Sequence, residues 1–231
     1  MKDLSRLSFD IGTLRSGYHS GAFTPGDVVA EVYRRIRALE NNPIWICLIR
    51  EEDAIAAADA LADSPNKSLF GIPFAVKDNV DVADLPTTAA CPSFSYVAQA
   101  NATVVQRLLD DGAILIGKTN LDQFATGLVG ARSPFGTCRN LFNSEYISGG
   151  SSSGSALAVA GGLVSFALGT DTAGSGRVPA AFANIIGLKP TRGVVSARGV
   201  VPACRSLDCV SIFALTPGGW KNYLKSLSIV S

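Results

Sequence analysis

The chain has 231 residues, of which 47% are hydrophobic and 17% are charged. This composition excludes an intrinsically disordered chain, because enough apolar side chains are present to form a buried core. Twenty Lys and Arg residues against nineteen Asp and Glu residues give a net charge of +1, and no long basic run is present, so we expect no electrostatically driven binding to nucleic acid.

The first part of the chain predicts two helices around a short strand. Thr24 can cap a helix that begins at Pro25, and apolar residues then recur at helical spacing as far as Leu39. The apolar run at residues 44–49 is typical of a strand. The Ala-rich residues 51–63 predict the second helix.

From residue 72 onward, short apolar runs alternate with helical patterns. We expect strands at residues 72–76, 113–116 and 163–168, and helices at residues 102–111, 155–160 and 179–186. Apolar strands separated by helices indicate an α/β fold whose strands are buried on both faces. The charge-free stretch 146–170 begins with a Gly/Ser tract, so it predicts a buried helix and strand rather than a membrane span.

The histidine and cysteine content excludes several kinds of site. His19 is the one histidine, so a zinc site built on several histidines is impossible, and we interpret His19 as a surface or packing residue. Five cysteines without C-x-x-C spacing argue against a metal ribbon or a redox pair, and we predict no metal and no cofactor. The first residues lack the apolar stretch of a signal peptide, so we expect a reducing, cytoplasmic compartment.

Lys77 is the first candidate for chemistry. It follows the apolar run 72–76, and ligands in open α/β sheets gather at the carboxyl ends of strands. Desolvation there would lower the pKa of the lysine and allow a neutral, basic amine. A solvated lysine that simply ends a strand is the alternative interpretation.

Two segments rich in Gly and Ser follow. Residues 148–156 lack the pattern of a phosphate-binding loop, and the helical pattern after them places them inside a domain rather than in a linker. Residues 169–179 lie between an apolar run and a helix, with Ser175 between two glycines. Such a turn can present a serine and direct successive N–H groups at one point, as an oxyanion hole requires, although an ordinary Gly-rich turn is the alternative.

Together, Lys77 and the two Gly/Ser segments resemble the amidase signature family, over roughly residues 24–215. This resemblance implies a fold with a central mixed sheet flanked by helices. It also implies a triad in which Ser175 is the nucleophile, Ser151 bridges after a cis peptide bond, and Lys77 is the base. The implied oxyanion hole consists of the backbone N–H groups of Thr172, Ala173, Gly174 and Ser175. We interpret Asp171 and Arg177 as structural partners of the turn.

Four further segments resemble the allophanate hydrolase subfamily: residues 122–130, 132–136, 171–179 and 201–210. The implied reaction converts allophanate, a small amide, into ammonia and carbon dioxide. The alternative is another amidase, such as a protein like the A subunit of the tRNA amidotransferase, which tends to read Gly-Pro where this chain reads Val210-Ser211. Gly130 and Arg132 are the candidates for substrate binding within this chain, since a carboxylate needs hydrogen-bond donors.

The chain is shorter than a complete amidase signature domain, so we expect a partial domain that is truncated on its C-terminal side. Its predicted parts are an N-terminal helical region at residues 1–65, a catalytic core at residues 66–215 and a divergent tail at residues 216–231. Two hypotheses remain open. The chain is an enzyme, as a homo-oligomer or with a complementing C-terminal half, or it is a remnant that keeps the triad but lacks a complete pocket.

Overall fold

The computed structural model describes residues 3–218. Its helices are α1 (Ile11–His19), α2 (Pro25–Ala38), α3 (Glu51–Asp59), α4 (Thr103–Asp110), α5 (Ser153–Ala160) and α6 (Arg177–Phe182). Its strands are β1 (Trp45–Leu48), β2 (Pro73–Lys77), β3 (Pro86–Thr87), β4 (Tyr96–Val97), β5 (Ile114–Thr119), β6 (Phe166–Asp171), β7 (Ile186–Leu188) and β8 (Cys209–Ala214). Residues 219–231, most of the predicted tail, lie outside the described residues.

Six strands form one mixed sheet in the order β1-β5-β2-β6-β8-β7. The three central strands β5, β2 and β6 are parallel, whereas β1, β8 and β7 are antiparallel to their neighbours. Because β5, β2 and β6 run in the same direction, their carboxyl ends meet at one edge of the sheet. This edge brings together Lys77 of β2, Thr119 of β5 and Thr170 of β6.

The core is built around α5 and the buried strands. Every residue of β2, β5, β6 and β8 is buried, as the apolar runs predict for strands covered on both faces. Helix α5 is buried from Ser153 to Val159 and packs on this sheet. Phe74 and Phe166 stack on adjacent strands with their ring centroids 5.3 Å apart. The mixed α/β fold that the sequence predicts is therefore confirmed.

The predicted N-terminal cap of α2 is also confirmed. The Asp27 N–H donates to Thr24 Oγ1 (3.1 Å), and the Thr24 N–H donates to Asp27 Oδ2 (2.9 Å), which completes a reciprocal capping box. The helix buries Val28, Val29 and Val32 against the core, so its stability is coupled to the whole domain.

Thr24→Ala should lower the free energy of unfolding by about 1 kcal/mol, because the start of α2 loses the side-chain acceptor that satisfies the Asp27 N–H. Urea denaturation measures this change. Thr137→Ala, a substitution of an exposed loop threonine, is the control and should change the free energy of unfolding much less. Equal effects of the two substitutions would contradict the capping role.

Several predicted boundaries are wrong. The helix predicted at residues 51–63 ends at Asp59, because the chain turns before Pro65. The strand predicted at residues 163–168 lies at Phe166–Asp171, because residues 161–165 form the turn after α5. The strand also continues through the polar residues Thr170 and Asp171, which are buried. The helix predicted at residues 179–186 occupies Arg177–Phe182 and is followed by β7.

Candidate active site

Lys77 lies at the end of β2 and is fully buried. Its Nζ donates to Ser151 Oγ (2.8 Å) and to Thr170 Oγ1 (2.7 Å). The structure therefore joins two of the three residues that the sequence assigns to the triad. The sequence analysis missed Thr170, which lies on the neighbouring parallel strand β6; this position could be inferred only from the strand order.

Burial lowers the pKa of Lys77 from 10.5 to about 7, because the protonated amine is removed from water. Asp122, Asp171 and Asp208 oppose this shift, since their negative charges favour the ammonium form. A lysine with this pKa is substantially neutral near pH 7.5, and a neutral amine can accept a proton. The structure thus gives Lys77 the chemical property that a base requires.

A second buried lysine provides a contrast. Lys118 of β5 forms a fully buried ion pair with Asp78 (3.1 Å) and donates to the Pro86 carbonyl and Thr87 Oγ1, both at 2.7 Å. Burial lowers the pKa of Lys118, but Asp78 opposes the shift directly. Within residues 3–218, Lys77 forms no ion pair and has only hydroxyl partners. The environment of Lys77 is therefore the one that suits proton transfer.

The peptide bond Gly150–Ser151 is cis, which confirms what the family resemblance implies. Backbone hydrogen bonds fix the loop on both sides of it. The Gly150 N–H donates to the Leu128 carbonyl (2.9 Å), and the Asp122 N–H donates to the Ser151 carbonyl (3.0 Å). These contacts hold the Ser151 hydroxyl within reach of Lys77.

Ser175 lies in the turn between β6 and α6 and is 4% exposed. Its carbonyl accepts the Ser152 N–H (3.2 Å), so the turn between β6 and α6 is in direct contact with the loop that contains the cis peptide bond. Its hydroxyl donates to the Gly127 carbonyl (3.3 Å). In the described part of the chain, the hydroxyls of Ser151 and Ser175 are not hydrogen-bonded to each other, so the predicted relay is only half formed in this state.

The Asp171 carboxylate fixes the conformation of the turn between β6 and α6 through several hydrogen bonds. It accepts the backbone N–H groups of Gly174 (2.9 Å), Gly176 (3.1 Å) and Arg177 (3.1 Å), and it forms two hydrogen bonds with the Arg177 guanidinium. Burial alone would raise the pKa of Asp171, but these donors lower it below its usual value of 3.8. The interpretation of Asp171 and Arg177 as structural partners agrees with this geometry.

The same contacts modify one prediction for the oxyanion hole. The Gly174 N–H is already bonded to Asp171, so it is not free to stabilise an oxyanion. The N–H groups of Thr172, Ala173 and Ser175 have no hydrogen-bond partner among residues 3–218. The sequence pattern could not show that the Gly174 N–H is bonded to a carboxylate, because this contact depends on how the turn folds.

Gly130 and Arg132 belong to a loop that folds around Asp122. Their N–H groups donate to the Asp122 carboxylate at 3.0 and 2.8 Å, and the Arg132 guanidinium donates to the Thr126 carbonyl (3.1 Å). Gly130 has a φ of +82°, and a Cβ there would lie 2.3 Å from Ser148 Oγ, so only glycine fits. The substrate-binding roles of Gly130 and Arg132 stay predictions.

His19 is exposed at the C-terminal end of α1, as expected for a surface residue. Among residues 3–218, the hydroxyls of Ser151 and Ser175 have Lys77 and the Gly127 carbonyl as their partners, and His19 is not one of them. Within the described ranges, no helix is both long and apolar enough to cross a membrane.

Comparisons with known proteins show which family the chain belongs to. The family model described as Amidase matches residues 27–219. Urea amidolyase of Saccharomyces cerevisiae is 62% identical over 174 residues, which cover 74% of this chain and 10% of that protein. The glutamyl-tRNA(Gln) amidotransferase of Exiguobacterium sp. has an A subunit that is 41% identical over 209 residues, which cover 89% of this chain and 43% of that protein.

A solved structure of a Kluyveromyces lactis allophanate hydrolase variant superimposes with a TM-score of 0.88 at 49% identity. The match covers 99% of this chain and 38% of that one, so this chain spans less than half the length of these relatives. The family model covers most of the chain, and the structural match extends over nearly all of it. The chain therefore belongs to the amidase family.

Proposed function

We propose that this chain hydrolyses the amide bond of allophanate through a Ser175–Ser151–Lys77 relay. The observation that carries the proposal is the buried hydrogen bond between Lys77 Nζ and Ser151 Oγ (2.8 Å), adjacent to the turn that presents Ser175. Because the pKa of Lys77 is lowered to about 7, the amine can accept a proton at neutral pH.

The reaction begins when the Ser175 hydroxyl turns from the Gly127 carbonyl toward Ser151. Neutral Lys77 accepts the proton of Ser151, Ser151 accepts the proton of Ser175, and Ser175 Oγ bonds to the amide carbonyl carbon. The carbon–nitrogen bond then breaks, the relay returns the proton to the leaving nitrogen, and ammonia departs. Water, deprotonated through the same relay, cleaves the acyl–serine ester and restores Ser175.

The oxyanion that forms on the carbonyl oxygen needs fixed hydrogen-bond donors. We assign this role to the N–H groups of Thr172, Ala173 and Ser175, since the Gly174 N–H is bonded to Asp171. The ion pair between Asp171 and Arg177 fixes the conformation of the turn, so its N–H groups keep their direction before the substrate binds.

The choice of allophanate rests on the 49% identity to the Kluyveromyces lactis allophanate hydrolase and the 62% identity to the yeast urea amidolyase. An amidase like the amidotransferase protein of Exiguobacterium sp. is the alternative, supported by 41% identity to it. Ammonia release from allophanate, glutamine and a neutral aliphatic amide separates the two. We expect release from allophanate at the highest rate, whereas preferential release from glutamine would favour the alternative.

The chain spans 38% of the Kluyveromyces lactis protein, so we propose that a homo-oligomer or a complementing C-terminal half completes the substrate pocket. Large apolar side chains are exposed in two loops that precede α5, with Leu128 and Val129 in one and Phe142 and Tyr146 in the other. A remnant without activity is the alternative. Ammonia release, measured before and after addition of a separately produced C-terminal half of the allophanate hydrolase, distinguishes an enzyme whose pocket is completed by a partner from an inactive remnant.

We also propose a cytoplasmic location. The five cysteines are free thiols in the structure, as a reducing compartment would keep them.

The rate constant kcat/KM for ammonia release should fall about tenfold per pH unit below about pH 7. The sign follows from the pKa of Lys77: as the pH falls through about 7, the amine becomes protonated and can no longer accept a proton. Stopped-assay ammonia measurements across this range give the profile. A flat profile between about pH 5 and pH 8 would contradict a lysine base with this pKa.

A further inference from the structure

A side-chain contact lies just beyond the paired ends of β6 and β8. The antiparallel register of these strands ends with Asp171 opposite Cys209, so Thr172 and Asp208 face each other at the next position. Thr172 Oγ1 donates to Asp208 Oδ1 at 2.5 Å. Thr172 is the first residue of the turn that carries the free N–H groups.

Hydrogen bonds within the loop that precedes β8 fix the position of Asp208. Its carboxylate accepts the N–H groups of Ala203 and Cys204, each at 3.0 Å, and its own N–H donates to the Cys204 carbonyl (2.9 Å). The next residue begins β8, which is buried along its length. Asp208 therefore connects Thr172, at the start of the turn between β6 and α6, to the loop at residues 203–208 and to β8 of the central sheet.

We propose that Asp208, acting through the Thr172 hydroxyl, is a positioning residue for the oxyanion-stabilising turn, residues 172–175; this inference rests on the proposed function. Asp171 holds the far side of the turn through Gly174 and Gly176, and Asp208 holds the near side through Thr172. Within the turn, Gly174 has a φ of +128°, a conformation that glycine adopts readily. Two anchors keep the N–H groups directed at one point before the oxyanion forms, and this preorganisation is what makes such donors effective.

The direct test is Thr172→Val, which removes the hydroxyl, keeps the branched shape and leaves the bonds of Asp208 to Ala203 and Cys204 in place. We expect kcat for ammonia release to fall about tenfold or more with little change in KM, because the N–H groups that this contact positions stabilise the oxyanion, which forms only after the substrate has bound. Thr172→Ser, which keeps the hydroxyl, should restore kcat.

The matched control is Thr13→Val. Thr13 Oγ1 donates to Asp10 Oδ2 at the same 2.5 Å, but this pair caps α1 and does not contact the turn. Thr13→Val should leave kcat and KM unchanged. An equal loss of kcat in Thr13→Val and Thr172→Val would overturn the positioning role of Asp208.

A second measurement does not depend on catalysis. Amide hydrogen exchange of Gly174, whose N–H is bonded to Asp171, should be faster in Thr172→Val than in the unmodified chain and in Thr13→Val. Unchanged exchange of the Gly174 amide, or an unchanged kcat, in Thr172→Val would overturn the inference. Full ammonia release by Ser175→Ala would instead refute the proposed function, and the exchange rates would still decide whether Asp208 anchors the turn.

Discussion

Ser175→Ala should reduce ammonia release by about 10⁴-fold or more, which is the scale of loss when a serine nucleophile is removed from a relay that acts as a unit. The physical reason is that the neighbouring serine hydroxyls, those of Ser151 and Ser152, are already hydrogen-bonded and do not substitute for Ser175. Ser151 Oγ is bonded to Lys77, and Ser152 Oγ donates to the Thr170 carbonyl (3.1 Å). Loss of one buried hydroxyl removes only the bond to the Gly127 carbonyl, so the fold should persist.

Ser93→Ala is the matched control for this substitution, because Ser93 is exposed and lies in a separate turn. Ammonia release by Ser93→Ala should equal that of the unmodified chain. A Ser175→Ala variant that released ammonia at the full rate would remove Ser175 from the mechanism, whatever the behaviour of the control.

Lys77→Met should lower kcat/KM by about 10²–10⁴-fold, the usual contribution of a general base. Methionine fills the buried slot at the end of β2 but cannot accept the proton of Ser151. The variant should also lose the decline of activity below about pH 7, because the titrating amine is absent. The pH profile of kcat/KM measures both effects in one experiment.

Thermal unfolding of Lys77→Met separates a chemical loss from a structural one. The variant loses the hydrogen bonds to Ser151 and Thr170, but it no longer buries an amine away from water. We therefore expect it to stay folded under assay conditions. A folded Lys77→Met variant with unchanged kcat/KM and an unchanged pH profile would contradict the role of Lys77 as the base.

Much of the fold could be predicted because its main signals are local. The β2 run ends in Lys77 as expected, and the capping box of Thr24 and Asp27 marks the start of α2. The position of β6 was harder to predict. Thr170 and Asp171 are buried at its end through hydrogen bonds and a salt bridge, and a hydrophobic pattern cannot show such compensation.

The remaining features of the site depend on which strands are neighbours. Thr170 reaches Lys77 only because β6 pairs with β2, and Thr172 reaches Asp208 only because β6 pairs with β8 in one particular register. Close packing adds a further constraint, since a Cβ on Gly176 would lie 2.7 Å from the Ser211 side chain of β8. Contacts between residues distant in sequence set these details, and no short motif encodes them.

The central claim is that Ser175 forms a covalent acyl intermediate. Peptide mass spectrometry after rapid acid quenching of the chain during turnover of allophanate tests it most directly. The account predicts an acyl adduct on the peptide that contains Ser175, and no adduct in Ser175→Ala. Ammonia release without an adduct on that peptide, or with an adduct on a different residue, would contradict it.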